Sequence, residues 1–427
     1  MINYLDLKKG DILAITGSSG KTTLLFYLAQ KLKKFGKVLV TTTTKIYIPD
    51  KKNYDLMFIG DMNFNKIENN SITVYGHSLE NNKIIGWNPS FLKTISKHFD
   101  YILIEADGSM GKPLKGWKEN EPQIPLFVNK TIGLLNPKSL YENIDENIIH
   151  RLPLFNEQFN KNNEKIISED IFSNYINSNL LFKNSTGERF FFFNQVEDFK
   201  TFKKFFTIAN KIDINGKILW GSLFNEEFYT YKKITGAILA GGFSKRMGED
   251  KLNILLPNQK SILENTILAL RDIPLDNKFL ITRDNKFKEL SKKYYLRFFD
   301  NKLAHLGQSE GVKLAINNCD SDGIIFIPGD MPLLETDTIL KLIYEFEKSG
   351  KIVASSINNE ICAPIIFPMK YKEEFNNLTG DTGGRKLLSL YPYLTINFEN
   401  QLEFLDVDTQ EELQKIRNLH NIWRNRK

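Results

Sequence analysis

The chain has 427 residues, 41% hydrophobic and 25% charged, a length beyond one typical core and a composition that excludes disordered and collagen-like classes. Its net charge of +6 is spread along the chain, which reads as a lysine-rich solvated surface with some attraction for polyanionic small ligands; no nucleic-acid partner is expected. Two distant cysteines, five scattered histidines, no apolar run near the ~18 residues of a membrane span and no signal-peptide pattern predict a cytoplasmic protein with no disulfide framework, no histidine metal centre and no membrane partner.

Residues 12–16 are predicted as a short buried strand. They lead into Gly17-Ser18-Ser19-Gly20-Lys21-Thr22-Thr23. Residues 22–34 follow at helical spacing, with Leu24, Leu25, Leu28, Ala29 and Leu32 on one side. Strand, glycine turn and helix in this order make an anion site. The glycines let backbone N–H groups approach phosphate, and the helix N-terminus faces it. Lys21 reaches terminal phosphates and Thr22 offers a hydroxyl to Mg2+. The spacing departs from GxxxxGK[ST], because Ile15 stands where the first glycine belongs. It resembles the shorter TGxxGKT loop of some ATP-dependent ligases, which implies ATP, or GTP, at this turn. Residues 38–40 form a second strand, followed by Thr41-Thr42-Thr43-Thr44-Lys45. Residues 101–104 form a third, with Glu105 and Asp107 directly after it, placed to serve a metal or a water. Strands alternating with helices predict a parallel α/β sheet. The Phe190-Phe191-Phe192-Phe193 run reads as a further buried strand.

Near residues 230–233 the pattern restarts after a short connection. Residues 234–239 are a strand, and Leu239-Ala240-Gly241-Gly242-Phe243-Ser244-Lys245-Arg246-Met247-Gly248-Glu249-Asp250-Lys251 follows. Such a turn suits a nucleoside triphosphate. Leu239, Ala240, Gly241, Gly242 and Ser244 are expected along base and phosphates, with Arg246 and Lys251 adding positive charge. A helix over 261–270, a strand over 279–282, a helix over 311–317 and a strand over 323–327 come next. Asp330 lies just past the last strand, where open α/β sheets bind ligands, and a carboxylate there can hold Mg2+.

From about residue 234 the chain resembles the molybdenum cofactor nucleotidyltransferase family (MocA/MobA-like). Its LAGGxSxRMGxDK signature is matched at Leu239, Ala240, Gly241, Gly242, Ser244, Arg246, Met247, Gly248, Asp250 and Lys251, and its DxPL motif at Asp330, Pro332 and Leu333. Gly307-Gln308-Ser309, Pro364-Ile365-Ile366-Phe367, Gly380-Asp381-Thr382-Gly383-Gly384-Arg385 and Asp406-Val407-Asp408-Thr409 also fit. The resemblance implies a Rossmann-like nucleotidyltransferase domain over 233–427. That domain would move a nucleoside monophosphate from CTP or GTP onto molybdenum-loaded molybdopterin, releasing pyrophosphate. It implies Arg246, Lys251 and Asp330 as catalytic, Asp330 as the Mg2+ ligand, and Asp381 and Arg385 on the pterin side; a helix-cap role fits Asp381 nearly as well. Asp406 and Asp408 read equally as a second carboxylate or as turn residues. Leu-Ala-Gly-Gly is the guanylyl form, whereas 380–385 and 406–409 look like the cytidylyl branch; CMP is favoured and GMP stays open.

The threonine run, the segment from Glu105 to Lys115, Glu121-Pro122-Gln123-Ile124-Pro125 and His150-Arg151 resemble the selenium-dependent molybdenum hydroxylase accessory protein family (YqeC-like). This implies a P-loop NTPase-like domain of parallel α/β type over 1–232, serving maturation of a molybdenum hydroxylase, which would be its partner protein. Asp107, Lys112 and Lys115 are candidates for a phosphate or acidic ligand, against a solvated basic loop. Two other readings stand beside the main one: a nucleotidyltransferase for another phosphorylated acceptor, and a nucleotide-gated carrier of finished cofactor.

Overall fold

The computed structural model describes residues 1–242 and 250–419. The chain divides into two compact units, Met1–Tyr231 and Lys232–Lys427.

The first unit is built on a nine-stranded sheet. Its strands are β1 (Ile12–Gly17), β2 (Val38–Thr42), β3 (Leu56–Ile59), β4 (Ile72–Gly76), β5 (Tyr101–Glu105), β6 (Lys130–Leu135), β7 (Glu188–Phe193), β8 (Lys217–Ser222) and β9 (Glu227–Thr230). They lie in the order β9-β8-β7-β6-β1-β5-β2-β4-β3, and only the terminal β8–β9 pair is antiparallel. The apolar runs are continuous because both faces are covered. Leu13 and Ile15, Val38 and Val40, and Tyr101 and Leu103 enter one core, whereas Ala14, Leu39, Ile102 and Ile104 enter the other. Leu24, Leu25, Leu28 and Leu32 of helix α1 (Lys21–Leu32) complete the first core. The helix stops two residues short of the expected boundary; a tighter turn over Lys33–Phe35 then runs into Gly36.

The second unit has a seven-stranded sheet. Its strands are β10 (Ile234–Ala240), β11 (Asn277–Thr282), β12 (Arg297–Asp300), β13 (Gly323–Pro328), β14 (Ile352–Ile357), β15 (Glu360–Pro368) and β16 (Tyr393–Asn397), ordered β12-β11-β10-β13-β15-β14-β16. The sheet is mixed, because β15 runs antiparallel to both neighbours. The cause is local. Asn358 and Asn359 both take positive φ, 50° and 68°, which closes a two-residue hairpin between β14 and β15. The helix expected over 311–317 begins earlier, as α2 (Gln308–Asn317). Gly307 turns the chain at φ 117°, and Asp381 Oδ1 accepts the Gln308 N–H at 3.3 Å, so the first turn is capped from a distant loop.

Two registers position everything that follows. Ile15 of β1 stands opposite Glu105 of β5, and Leu239 of β10 opposite Pro328 of β13. Among the described residues no helix is long and apolar enough to cross a membrane.

Candidate functional sites

In the first unit the chain leaves β1 through a turn of unusual backbone. Gly17, Ser19 and Gly20 have φ of 90°, 66° and 112°. A Cβ at Gly17 would sit 2.2 Å from the Leu134 carbonyl oxygen, so only glycine fits. Ser19 tolerates the left-handed region because it is held from two sides. Asn194 Nδ2 donates to its carbonyl at 3.0 Å and Asn136 Nδ2 to its Oγ at 3.3 Å. The N–H groups of Ser19 and Gly20 meet no acceptor among the described residues, and α1 starts directly beyond them. Ser18 Oγ is buried without a hydrogen-bond partner among the described residues.

Lys21 folds back under this turn. Its Nζ donates to Gly17 O at 2.8 Å and Ser109 Oγ at 3.2 Å and lies 3.7 Å from Asp107 Oδ1. Thr22 Oγ1 donates to Glu105 Oε2 at 2.7 Å. Asp107 is fully buried; its Oδ2 accepts the Gly17 N–H at 3.1 Å and a short bond from Lys115. Lys115 also lies 3.5 Å from Glu121, which Arg151 grips with two bonds of 2.7 and 2.8 Å. Lys21, Asp107, Lys115, Glu121 and Arg151 thus form one chain of alternating charge. Lys115, a candidate for a phosphate or acidic ligand or for a solvated loop, is not solvated: it is wholly buried, paired with these carboxylates and stacked over Trp117.

Burial sets the protonation of this cluster. Glu105 is pushed above the ordinary carboxylate range by burial, only partly countered by Lys21. The Lys115 ammonium is pushed down by burial despite Asp107. Burial works to raise Glu121 as well, but Arg151 and Lys115 outweigh it and hold the carboxyl low. His150 is lowered to about 4 by burial together with the Arg151 and Lys115 charges.

The threonine run acts as a clamp. Thr41 Oγ1 donates to Tyr75 O at 2.8 Å, Thr42 Oγ1 to Glu105 O at 2.7 Å and Thr43 Oγ1 to Gln123 O at 2.7 Å. The chain leaving β2 is thereby tied to the ends of β4 and β5.

In the second unit a cavity of about 560 Å³ opens at the ends of β10 and β13. Leu239, Ala240, Gly241 and Gly242 line it, with Lys251, Asp330, Asp381 and Asp408. Ser244 and Arg246 lie outside the described residues. The two glycines are not required by backbone strain. Among the described residues a Cβ at Gly242 would meet nothing within 4 Å and one at Gly241 only Asn301 and Ala304 at ordinary distances.

Lys251 is the centre of charge. Its Nζ lies 2.6 Å from Asp330 Oδ2 and 2.5 Å from Asp408 Oδ1. Burial works against the ammonium, but the two carboxylates outweigh it and raise Lys251 above its ordinary value. The Val407 N–H donates to Asp330 O at 3.2 Å, so the backbone itself seats the 406–408 segment against Asp330. Asp406 is raised by burial and then by the charges of Asp330 and Asp408. Asp381 lines the cavity and also caps α2. Arg385 is exposed in the segment Gly384–Ser389 and is not among the residues lining the cavity.

Sequence reasoning missed Asn301. It is buried one residue beyond β12, lines the cavity, and its amide nitrogen would stand 3.6 Å from a Cβ on Gly241 and 3.3 Å from one on Gly311. The only signal was its place just after the short strand Arg297–Asp300, which many turn residues share.

Residues 13–153 match the family model described as YqeC protein, and residues 236–396 the model described as MobA-like NTP transferase domain. Over 155 residues, 35% of this chain, the sequence is 34% identical to the uncharacterized protein YqeC of Escherichia coli (strain K12), and the match spans only 60% of that protein's length. Over 189 residues, 43% of this chain, it is 24% identical to the molybdenum cofactor guanylyltransferase of Shewanella pealeana, covering 94% of that protein. Among solved structures, a nucleotidyl transferase from Methanothermobacter thermautotroptrophicus is similar at 17% identity and a TM-score of 0.40, covering 45% of this chain and 99% of that one.

The charge chain predicts a pH effect. His150 stays neutral in the folded protein down to about pH 4, whereas in the unfolded chain it protonates near 6.5. Stability is therefore lost as pH falls from 6.5 toward 4, by an amount that partial exposure keeps small. A histidine NMR titration should place His150 near 4, and Arg151→Gln should move it upward. A wild-type value near 6.5 would refute the assignment.

Proposed function

We propose that this chain, in which a YqeC domain precedes a MobA-like NTP transferase domain, transfers a nucleoside monophosphate from CTP or GTP to molybdenum-loaded molybdopterin and releases pyrophosphate. The observation that carries this reading is the convergence of Lys251, Asp330 and the Leu239–Gly242 turn on one cavity. A phosphate monoester is already anionic near neutrality. One of its oxygens attacks the α-phosphorus, the bond from that phosphorus to the bridging oxygen breaks, and pyrophosphate carries away the electron pair. The step needs alignment and charge more than covalent help. The backbone of Gly241 and Gly242 seats the phosphates, Lys251 neutralises them, and Asp381 borders the pterin side. Arg246 joins Lys251 on the triphosphate, and Arg385 is assigned to the outer pterin contacts. Asp330 and Asp408 fit a divalent cation, because their oxygens already converge on one positive charge. Mg2+ held there supplies charge neutralisation for the departing pyrophosphate.

In the first unit, ATP or GTP at the Gly17–Thr23 turn is the matching proposal, with Lys21 on terminal phosphates and Thr22 beside Glu105 for a metal. Its role is support of molybdenum hydroxylase maturation. What favours this is the pair of unclaimed N–H groups at Ser19 and Gly20 ahead of α1.

The Leu-Ala-Gly-Gly form and the guanylyltransferase relative favour GMP; the 380–385 and 406–409 segments favour CMP. Asn301 offers a test. An amide both donates and accepts, so it suits the edge of either base. A carboxylate only accepts, which suits the N1–H and N2–H donors of guanine and repels cytosine N3. Asn301→Asp should raise the GTP-to-CTP ratio of kcat/KM by about tenfold or more; an unchanged ratio removes Asn301 from base contact.

Asp330→Asn should lower pyrophosphate release with molybdenum-loaded molybdopterin by on the order of a hundredfold or more, with the circular dichroism spectrum unchanged. Retained turnover would overturn the assignment. Lys21→Ala should abolish ATP binding by the full chain, read by calorimetry, while leaving this transfer in place; undiminished binding would remove the first turn from nucleotide contact.

A further inference from the structure

Lys251 occupies the place between two carboxylates where a dication would sit. Its ammonium is within 2.6 Å of Asp330 and 2.5 Å of Asp408, and its side chain is only 10% exposed. The Val407 N–H donates to Asp330 O, which joins the backbones that carry the two carboxylates. The Lys251 backbone is anchored as well: Asp250 accepts the Leu252 N–H at 3.3 Å and pairs with Lys286 at 2.5 Å.

We propose that Lys251 is a resident counter-ion that keeps free divalent metal out of the empty site, so that metal enters only together with a triphosphate. The proposal rests on the transfer reading above. A dication arriving alone must expel an ammonium from two carboxylates, at close like-charge range, and leaves that ammonium without a new anion. A triphosphate removes both obstacles, because it offers Lys251 fresh oxygens as the metal takes the carboxylates. Metal and nucleotide then raise each other's affinity by one common factor.

The test is Mn2+ binding to the full chain, read from the electron paramagnetic resonance signal of free Mn2+, with and without the α,β-methylene analogues of CTP and GTP. Only binding lost in Asp330→Asn is counted, which sets aside any metal at the first unit. The nucleotide-free wild type should hold Mn2+ at least about tenfold more weakly than with an analogue. Lys251→Met should bind Mn2+ without nucleotide at least about tenfold more tightly than wild type, and Lys251→Met/Asp408→Asn should lose that gain. Equal wild-type affinity with and without nucleotide would overturn the proposal, and needs no lysine variant to fold. So would a folded Lys251→Met with no gain. If the metal results hold but wild type releases no pyrophosphate with the pterin, the counter-ion stands and the transfer reading fails. If transfer proceeds but metal binding ignores nucleotide, the reverse is true.

Discussion

Each site depends on the register between a unit's first strand and the parallel strand beside it. Ile15 stands opposite Glu105 and Leu239 opposite Pro328. The chain leaving the first strand then delivers a lysine, and the chain leaving its neighbour delivers a carboxylate, at the same end of the sheet. A slip of one residue would turn every side chain of a strand to the other face. Burial of both faces forbids it: Leu13 and Ile15 belong to one core and Ala14 to the other. The ion pairs Lys21–Asp107 and Lys251–Asp330 are thus consequences of hydrophobic packing that lies beneath them.

The two pairs live in different surroundings, and this sets what a ligand must do. Lys21 is 4% exposed and Asp107 fully buried, so each charge needs partners supplied by protein. The result is a run of five alternating charges ending at Arg151. An anion that draws Lys21 away must replace what Gly17 O, Ser109 and Asp107 now provide. At Lys251 the carboxylates border an open cavity of about 560 Å³, where an incoming phosphate and its counter-ion can exchange partners directly.

Much of this was legible beforehand for a physical reason: strands buried on both faces and glycine turns leave local traces. The buried first strands, both turns, α1 and the position of Asp330 follow from apolar runs and residue type. The reversal of β15 did not follow, because it hangs on two asparagines at positive φ in an otherwise ordinary polar turn. Lys115 was read as a candidate for a phosphate or acidic ligand, or as part of a solvated loop, because periodicity says nothing of a loop that folds inward. In the run of four threonines, two tie β2 to β4 and β5 and a third reaches Gln123, through backbone carbonyls that no local pattern identifies.

By itself the sequence determined which residues carry charge, where the backbone must bend, and that two glycine turns stand in one chain, because these are properties of neighbours along the chain. Only the tertiary structure decided that Asp408 stands beside Asp330, that Asn301 faces the glycine turn, and that Lys115, Glu121 and Arg151 continue the charge of Lys21. Those partners come from distant segments, and sheet order with strand register, not spacing in sequence, brings them within a hydrogen bond.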